Sequence, residues 1–103
     1  MERHRKKRIE MIVEAPLENR LVDLLDQLSV KGYTVIPAIS GRGQDGVWRR
    51  EGLVSDAGQM IVLVCIVDPS RAEDVVDRLY DFMANRIGII TVSDVDVIRD
   101  DHF

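Results

Sequence analysis

The chain has 103 residues, 46% hydrophobic and 31% charged, with a formal net charge of −4. That length builds one domain, residues 1–103, and no apolar run reaches the roughly 18 residues of a membrane span. The negative balance gives no general attraction to nucleic acid, and a single cysteine, Cys65, excludes an intrachain disulfide and a cysteine-cluster metal site.

The basic cluster Arg3, Arg5, Lys6, Lys7 and Arg8 reads as a solvated N-terminal tail over residues 1–7. The apolar stretch after it is too short and too interrupted for a secretory signal, so a cytoplasmic location is expected. Ile9, Met11 and Val13 alternate with Glu10, Ile12 and Glu14, which predicts a first strand over Arg8 to Glu14. Pro16 opens a helix whose Leu17, Leu21, Leu24, Leu25 and Leu28 share one face, and Gly32 after Lys31 predicts its stop. Tyr33 to Ser40 is β-prone; Pro37 inside it cannot donate to a ladder, so this second strand belongs at an edge or bulges.

Met60 to Val67 is apolar at every position, as in a strand buried on both faces. After Asp68-Pro69, the spacing of Ser70 and Glu73 predicts a capping box, and Ala72, Val75, Val76, Leu79 and Met83 give the core face of a second helix. Arg86-Ile87-Gly88 closes that helix, and Ile89 to Ile98 is the fourth strand. The order strand, helix, strand, strand, helix, strand predicts an α+β, ferredoxin-like βαββαβ domain: an antiparallel four-stranded sheet with both helices on one face. Two helices cover only one face, so the uniformly apolar third strand requires a partner chain over the other, and a homo-oligomer is expected.

Between the second and third strands lies a glycine-rich loop. Gly41, Gly43 and Gly46 break the strand pattern, and residues 42–57 carry Arg42, Trp48, Arg49 and Arg50 without apolar periodicity. The Gly41-Arg42-Gly43-Gln44 turn has two readings, an anion nest flanked by arginine or a flexible hairpin tip. Trp48 either stacks on a base or partner or anchors the loop, and Arg99 is either a phosphate ligand or half of a surface ion pair. His4 and His102 lie near opposite termini without a partner base or nucleophile, and no His or Cys pair has ligand spacing. No catalytic residue and no metal ligand is assigned.

Taken together, KRIEMIVEAP, GYTVIPAISGRGQDG, IVLVCIVDPSRAEDVVDRLYDFM and RIGIITVSDVDVIR resemble the P-II-like signal-transduction proteins over roughly Lys7 to Arg99. The resemblance implies a homotrimer that binds adenine nucleotide in clefts between subunits and regulates a transporter or enzyme through a so-called T-loop, here residues 42–57. It implies that Gly32, Tyr33 and Thr34 contact the adenine edge. Gly41, Arg42, Gly43, Gln44 and Arg99 would stand at the phosphates, with Arg86, Ile87 and Gly88 in the B-loop. Trp48, Arg49 and Arg50 would face an anion or partner. The short B-loop lacks the GDGK-like stretch of nitrogen-regulating members, which favours ADP or AMP over ATP, and no tyrosine lies between Gly41 and Gly58 for uridylylation. The loop is most similar to the divergent branch associated with carboxysomes and inorganic carbon, in which bicarbonate is a candidate second effector. The chain is therefore expected to be a sensor, not an enzyme, with no obligatory cofactor and no nucleic-acid partner. The competing readings are a CutA-like metal-responsive or other small-ligand trimer without nucleotide, and a slow nucleotide hydrolase using Asp45 or Asp56.

Overall fold

The computed structural model describes residues 1–43, 46–49 and 59–99. In chain order these form β1 (His4–Glu14), a 3-10 turn (Ala15–Leu17), α1 (Glu18–Gln27), β2 (Tyr33–Pro37), β3 (Ser40–Gly43), β4 (Gly46–Arg49), β5 (Met60–Val67), α2 (Pro69–Met83) and β6 (Gly88–Val97). The main sheet has the antiparallel order β2-β5-β1-β6, while β3 and β4 pair separately as a hairpin. This is the ferredoxin-like α+β fold expected from the sequence.

Period-two alternation decides which side chains enter the core. Ile9, Met11 and Val13 of β1 sit opposite Cys65, Leu63 and Ile61 of β5, and all six are buried. Both helices close over this face: Leu21, Leu25, Val75 and Leu79 are fully buried in the same cluster. Each such side chain contributes about 1.5–3 kcal/mol by leaving water. β2 takes an edge of the sheet, as Pro37 requires, and the Ala38 N–H resumes bonding by donating to the Met60 carbonyl at 3.0 Å.

Several boundaries differ from expectation for identifiable reasons. β1 starts at His4 and absorbs most of the basic segment, because its cations meet carboxylates: Arg5 Nε donates to Asp96 Oδ1 at 3.0 Å and Lys7 Nζ lies 2.5 Å from Asp94 Oδ1. The bond from Lys7, with the charges of Lys7 and Arg5, holds the Asp94 carboxyl below its usual pKa, and Asp96 raises that of Arg5. Lys6, itself buried, donates to Asp68.

The first helix stops before Gly32. Ser29 takes the left-handed conformation (φ 58°), its N–H donates to the Asp26 carbonyl and that of Val30 to the Leu25 carbonyl, each at 3.0 Å. This is a Schellman closure with Ser29 where glycine is usual, and buried Val30 and Leu25 accompany it. Nor does the capping box form. Asp68 occupies the N-cap with Pro69 just inside the helix, so Ser70 lies within the first turn, and the Asp68 carboxylate is engaged by Lys6. The second helix ends at Met83, and Asn85 (φ 66°) makes the turn before Arg86. Tyr33 to Ser40 is two strands, since β2 ends at Pro37 and Ser40 starts β3.

Candidate functional site

The first group of expected site residues stands where the chain leaves α1. Gly32 is exposed, and Tyr33 and Thr34 begin β2 with exposed side chains. Their turn is fixed by a residue that local pattern rules passed over: Arg71 of α2 donates through Nη2 to the Leu28 carbonyl and through Nη1 to the Ser29 carbonyl at 3.5 Å. These carbonyls at the end of α1 have no helical partners, and a guanidinium both satisfies them and complements the helix dipole. Ser29, Lys31, Ile66, Asp68 and Arg71 line a cavity of about 60 Å³ there. That volume suits about two waters and no purine.

The second group stands at the turn from α2 into β6. Arg86 and Ile87 are exposed, and Gly88 starts the strand with φ 155°. Only glycine fits: a Cβ there would lie 2.5 Å from the Ile12 carbonyl oxygen and press on Met83 Cε. The Arg86 guanidinium lies over the Phe82 ring, 4.5 Å from its centroid, and Nη1 donates to the Phe82 carbonyl at 2.6 Å. Beside it Tyr80, Met83, Asn85, Gly88 and Ile89 line an open groove of about 370 Å³.

One chain does not bring these groups together. Tyr33 shares a row across the sheet with Cys65, Ile9 and Val92, whereas Gly88 shares a row with Val13, Ile61 and Pro37. The rows are four residues apart, about 13 Å along the strands, and β2 and β6 are opposite edges, about 14 Å apart across three strand spacings. One nucleoside diphosphate cannot touch both groups of the same chain. Arg99 is exposed just past β6, on the far edge and seven residues along the chain from Val92 of the Tyr33 row.

The third group forms a hairpin. Ser40 pairs with Arg49, Gly41 with Trp48, Arg42 with Val47 and Gly43 with Gly46, so the expected aperiodic loop begins as a β-ribbon. Half-buried Trp48 lies on Gly41, where an added Cβ would be 2.5 Å from the indole Cζ2. Trp48 thus packs within its own hairpin. Arg42, Val47 and Arg49 are exposed. Gln44 and Arg50, together with Asp45, Asp56, His102 and most of residues 42–57, lie outside the described residues.

The opposite face of the sheet carries one apolar row. Ile36, Val62, Ile12 and Ile89 form a row across all four strands, with Ile36 47% and Ile89 56% exposed. Cys65 faces the helices, and burial pushes its thiol pKa up to about 11, so it is neutral and unreactive at neutral pH. Among the described residues, no group of three or more His, Cys, Asp or Glu could hold a metal ion, and no helix is long and apolar enough to cross a membrane.

Comparison with known proteins agrees with this architecture. The family model for nitrogen regulatory protein P-II matches residues 6–102. No curated protein sequence matches the chain. Among solved structures, CPII of Thiomonas intermedia K12, a nitrogen regulatory PII-like protein bound to ADP, AMP and bicarbonate, is 26% identical with a TM-score of 0.86, covering 95% of this chain and 92% of its own. A PII-like signalling protein of Thermus thermophilus is 32% identical with a TM-score of 0.80, covering 95% and 94%. CPII bound to ADP and bicarbonate superposes with a TM-score of 0.81 at 26% identity, covering 95% and 93%. Match and fold together establish that the chain belongs to the nitrogen regulatory protein P-II family.

Proposed function

We propose that this protein is a homotrimeric sensor that binds ADP or AMP between subunits, with bicarbonate as a second effector, and regulates a transporter or enzyme through the 42–57 loop. The observation that carries this reading is the separation of Gly32–Thr34 from Arg86–Gly88 on opposite edges and ends of one sheet. A cleft that uses both groups has one wall from each of two chains. The apolar row Ile36–Val62–Ile12–Ile89 supplies a surface on which chains associate. The CPII complexes with ADP, AMP and bicarbonate support the choice of ligands.

In this arrangement Gly32, Tyr33 and Thr34 of one subunit border the adenine, while Arg86, Ile87 and Gly88 of its neighbour meet the phosphates. Arg42, Gly41, Gly43, Gln44 and Arg99 complete the anion contacts. These residue types suit the role, since a Cβ at Gly32 or Gly43 would meet nothing within 4 Å, leaving room for close backbone approach. The arginines offer planar donor forks to phosphate or bicarbonate. Trp48, Arg49 and Arg50 are the loop residues that address a target. Anion contacts at Arg42 then bias how the loop is presented, which couples effector to target.

Isothermal titration calorimetry with ATP, ADP, AMP and cyclic AMP, each with and without bicarbonate, tests the reading. Micromolar ADP or AMP binding strengthened by bicarbonate is expected. Absence of heat with every nucleotide would overturn it.

A further inference from the structure

Resting on the nucleotide reading, we propose that Phe82 is the positioning residue for Arg86: its ring and its backbone carbonyl hold the guanidinium ready for an anion at the turn between α2 and β6. Arginine is rotamer-rich, and an arginine that must be ordered on binding loses affinity to that cost. Here the ordering is already done. The guanidinium lies over the Phe82 ring at 4.5 Å, Nη1 donates to the Phe82 carbonyl at 2.6 Å, and the Arg86 backbone N–H donates to the Met83 carbonyl at 2.9 Å. All three contacts draw on the last turn of α2, whose free carbonyls form the negative end of the helix dipole and attract a cation.

The contacts leave the binding edge open. One N–H is committed to the Phe82 carbonyl, and the guanidinium has four further N–H donors with which to grip a phosphate or carboxylate. Among the described residues, no carboxylate pairs with Arg86, so its charge is uncommitted. Phe82 is itself half-buried against the core cluster, so the platform is as rigid as α2. The turn at Asn85, with its positive φ of 66°, lets residue 86 fold back onto residue 82.

ADP titrations of the assembled protein and of F82L, F82Y, R86A and F82L/R86A, with thermal midpoints recorded for each, test the role. R86A should weaken ADP about tenfold. Loss of the aromatic platform in F82L should weaken it about two- to fivefold, and F82Y, which keeps the ring, should bind as the wild type does. The double variant should match R86A, since Phe82 acts through Arg86. Wild-type affinity in F82L alongside weakened R86A would overturn the role of Phe82 alone. The same F82L loss in the R86A background would assign Phe82 a merely structural part and also overturn the role. Unchanged affinity in R86A would overturn both this inference and the placement of Arg86 at the phosphates.

Discussion

The two faces of the sheet each carry apolar side chains and end in different states. On one, Ile9, Met11, Val13, Leu63 and Cys65 are sealed by α1 and α2. On the other, Ile36, Val62, Ile12 and Ile89 are equally apolar, and the two at the sheet edges stay about half exposed. The open face also carries Thr34, Glu10 and Thr91 in the neighbouring row, and the two helices lie on the other side. The sealed face makes the subunit, and in the trimer proposal the open face makes the assembly, so each can be damaged without the other.

The largest effect belongs to the sealed face. Leu63→Ala, at a position with no exposure, should lower subunit stability by about 2–5 kcal/mol in urea unfolding. A loss below about 1 kcal/mol would show that this face is not the core it resembles. Next is the pH dependence of Cys65. Its folded pKa is raised from 9.0 to about 11, so the stability held by the neutral thiol is complete below pH 9 and is lost as pH rises through 11. The loss amounts to about 3 kcal/mol at most, read as the difference between wild type and Cys65→Ala in urea midpoints from pH 7 to 11. Equal slopes for the two proteins would contradict that burial.

The open face should answer differently. Ile36→Asp together with Ile89→Asp should cost an isolated subunit little, because both side chains are already half in water, yet should dissociate the oligomer in sedimentation. Retained assembly would separate the apolar row from the subunit interface. The smallest effect is local to the hairpin. Gly41→Ala should dislodge Trp48, the chain's single tryptophan, and shift its emission to the red while the global unfolding midpoint changes by less than about 0.5 kcal/mol.

The sequence made the sealed face plain because its signal is local and periodic: Ile9, Met11 and Val13 at period two, and the leucines of the first helix at helical spacing. The need for cover on the open face was legible from the uninterrupted apolar run of Met60 to Val67. Pro37 placed its strand at the edge. What escaped were contacts between distant parts of the chain. Lys6 meets Asp68 at the start of the second helix, and Arg5 and Lys7 meet Asp96 and Asp94, which extends β1. Arg71 reaches the carbonyls of Leu28 and Ser29 and shapes the turn before Gly32. Ser29 in a left-handed conformation ended a helix that glycine statistics placed three residues later. In the site, glycine and arginine content marked the segments, but the pairing of Gly41 with Trp48 depends on the hairpin register and that of Phe82 with Arg86 on the turn at Asn85.

The central claim, that one nucleotide site takes Gly32–Thr34 from one chain and Arg86–Gly88 from another, is tested most directly by complementation. Gly32→Trp fills space where a Cβ meets no neighbour within 4 Å, so it should block the cleft without disturbing the subunit, and Arg86→Ala removes the anion ligand. Each variant alone should bind ADP weakly at every site. Co-expressed in equal amounts under separate tags and isolated as mixed trimers, they should regain wild-type affinity at about one third of interfaces, where an intact β2 edge meets an intact Arg86. Mixed oligomers that recover no site would place the whole nucleotide within one chain and contradict the account.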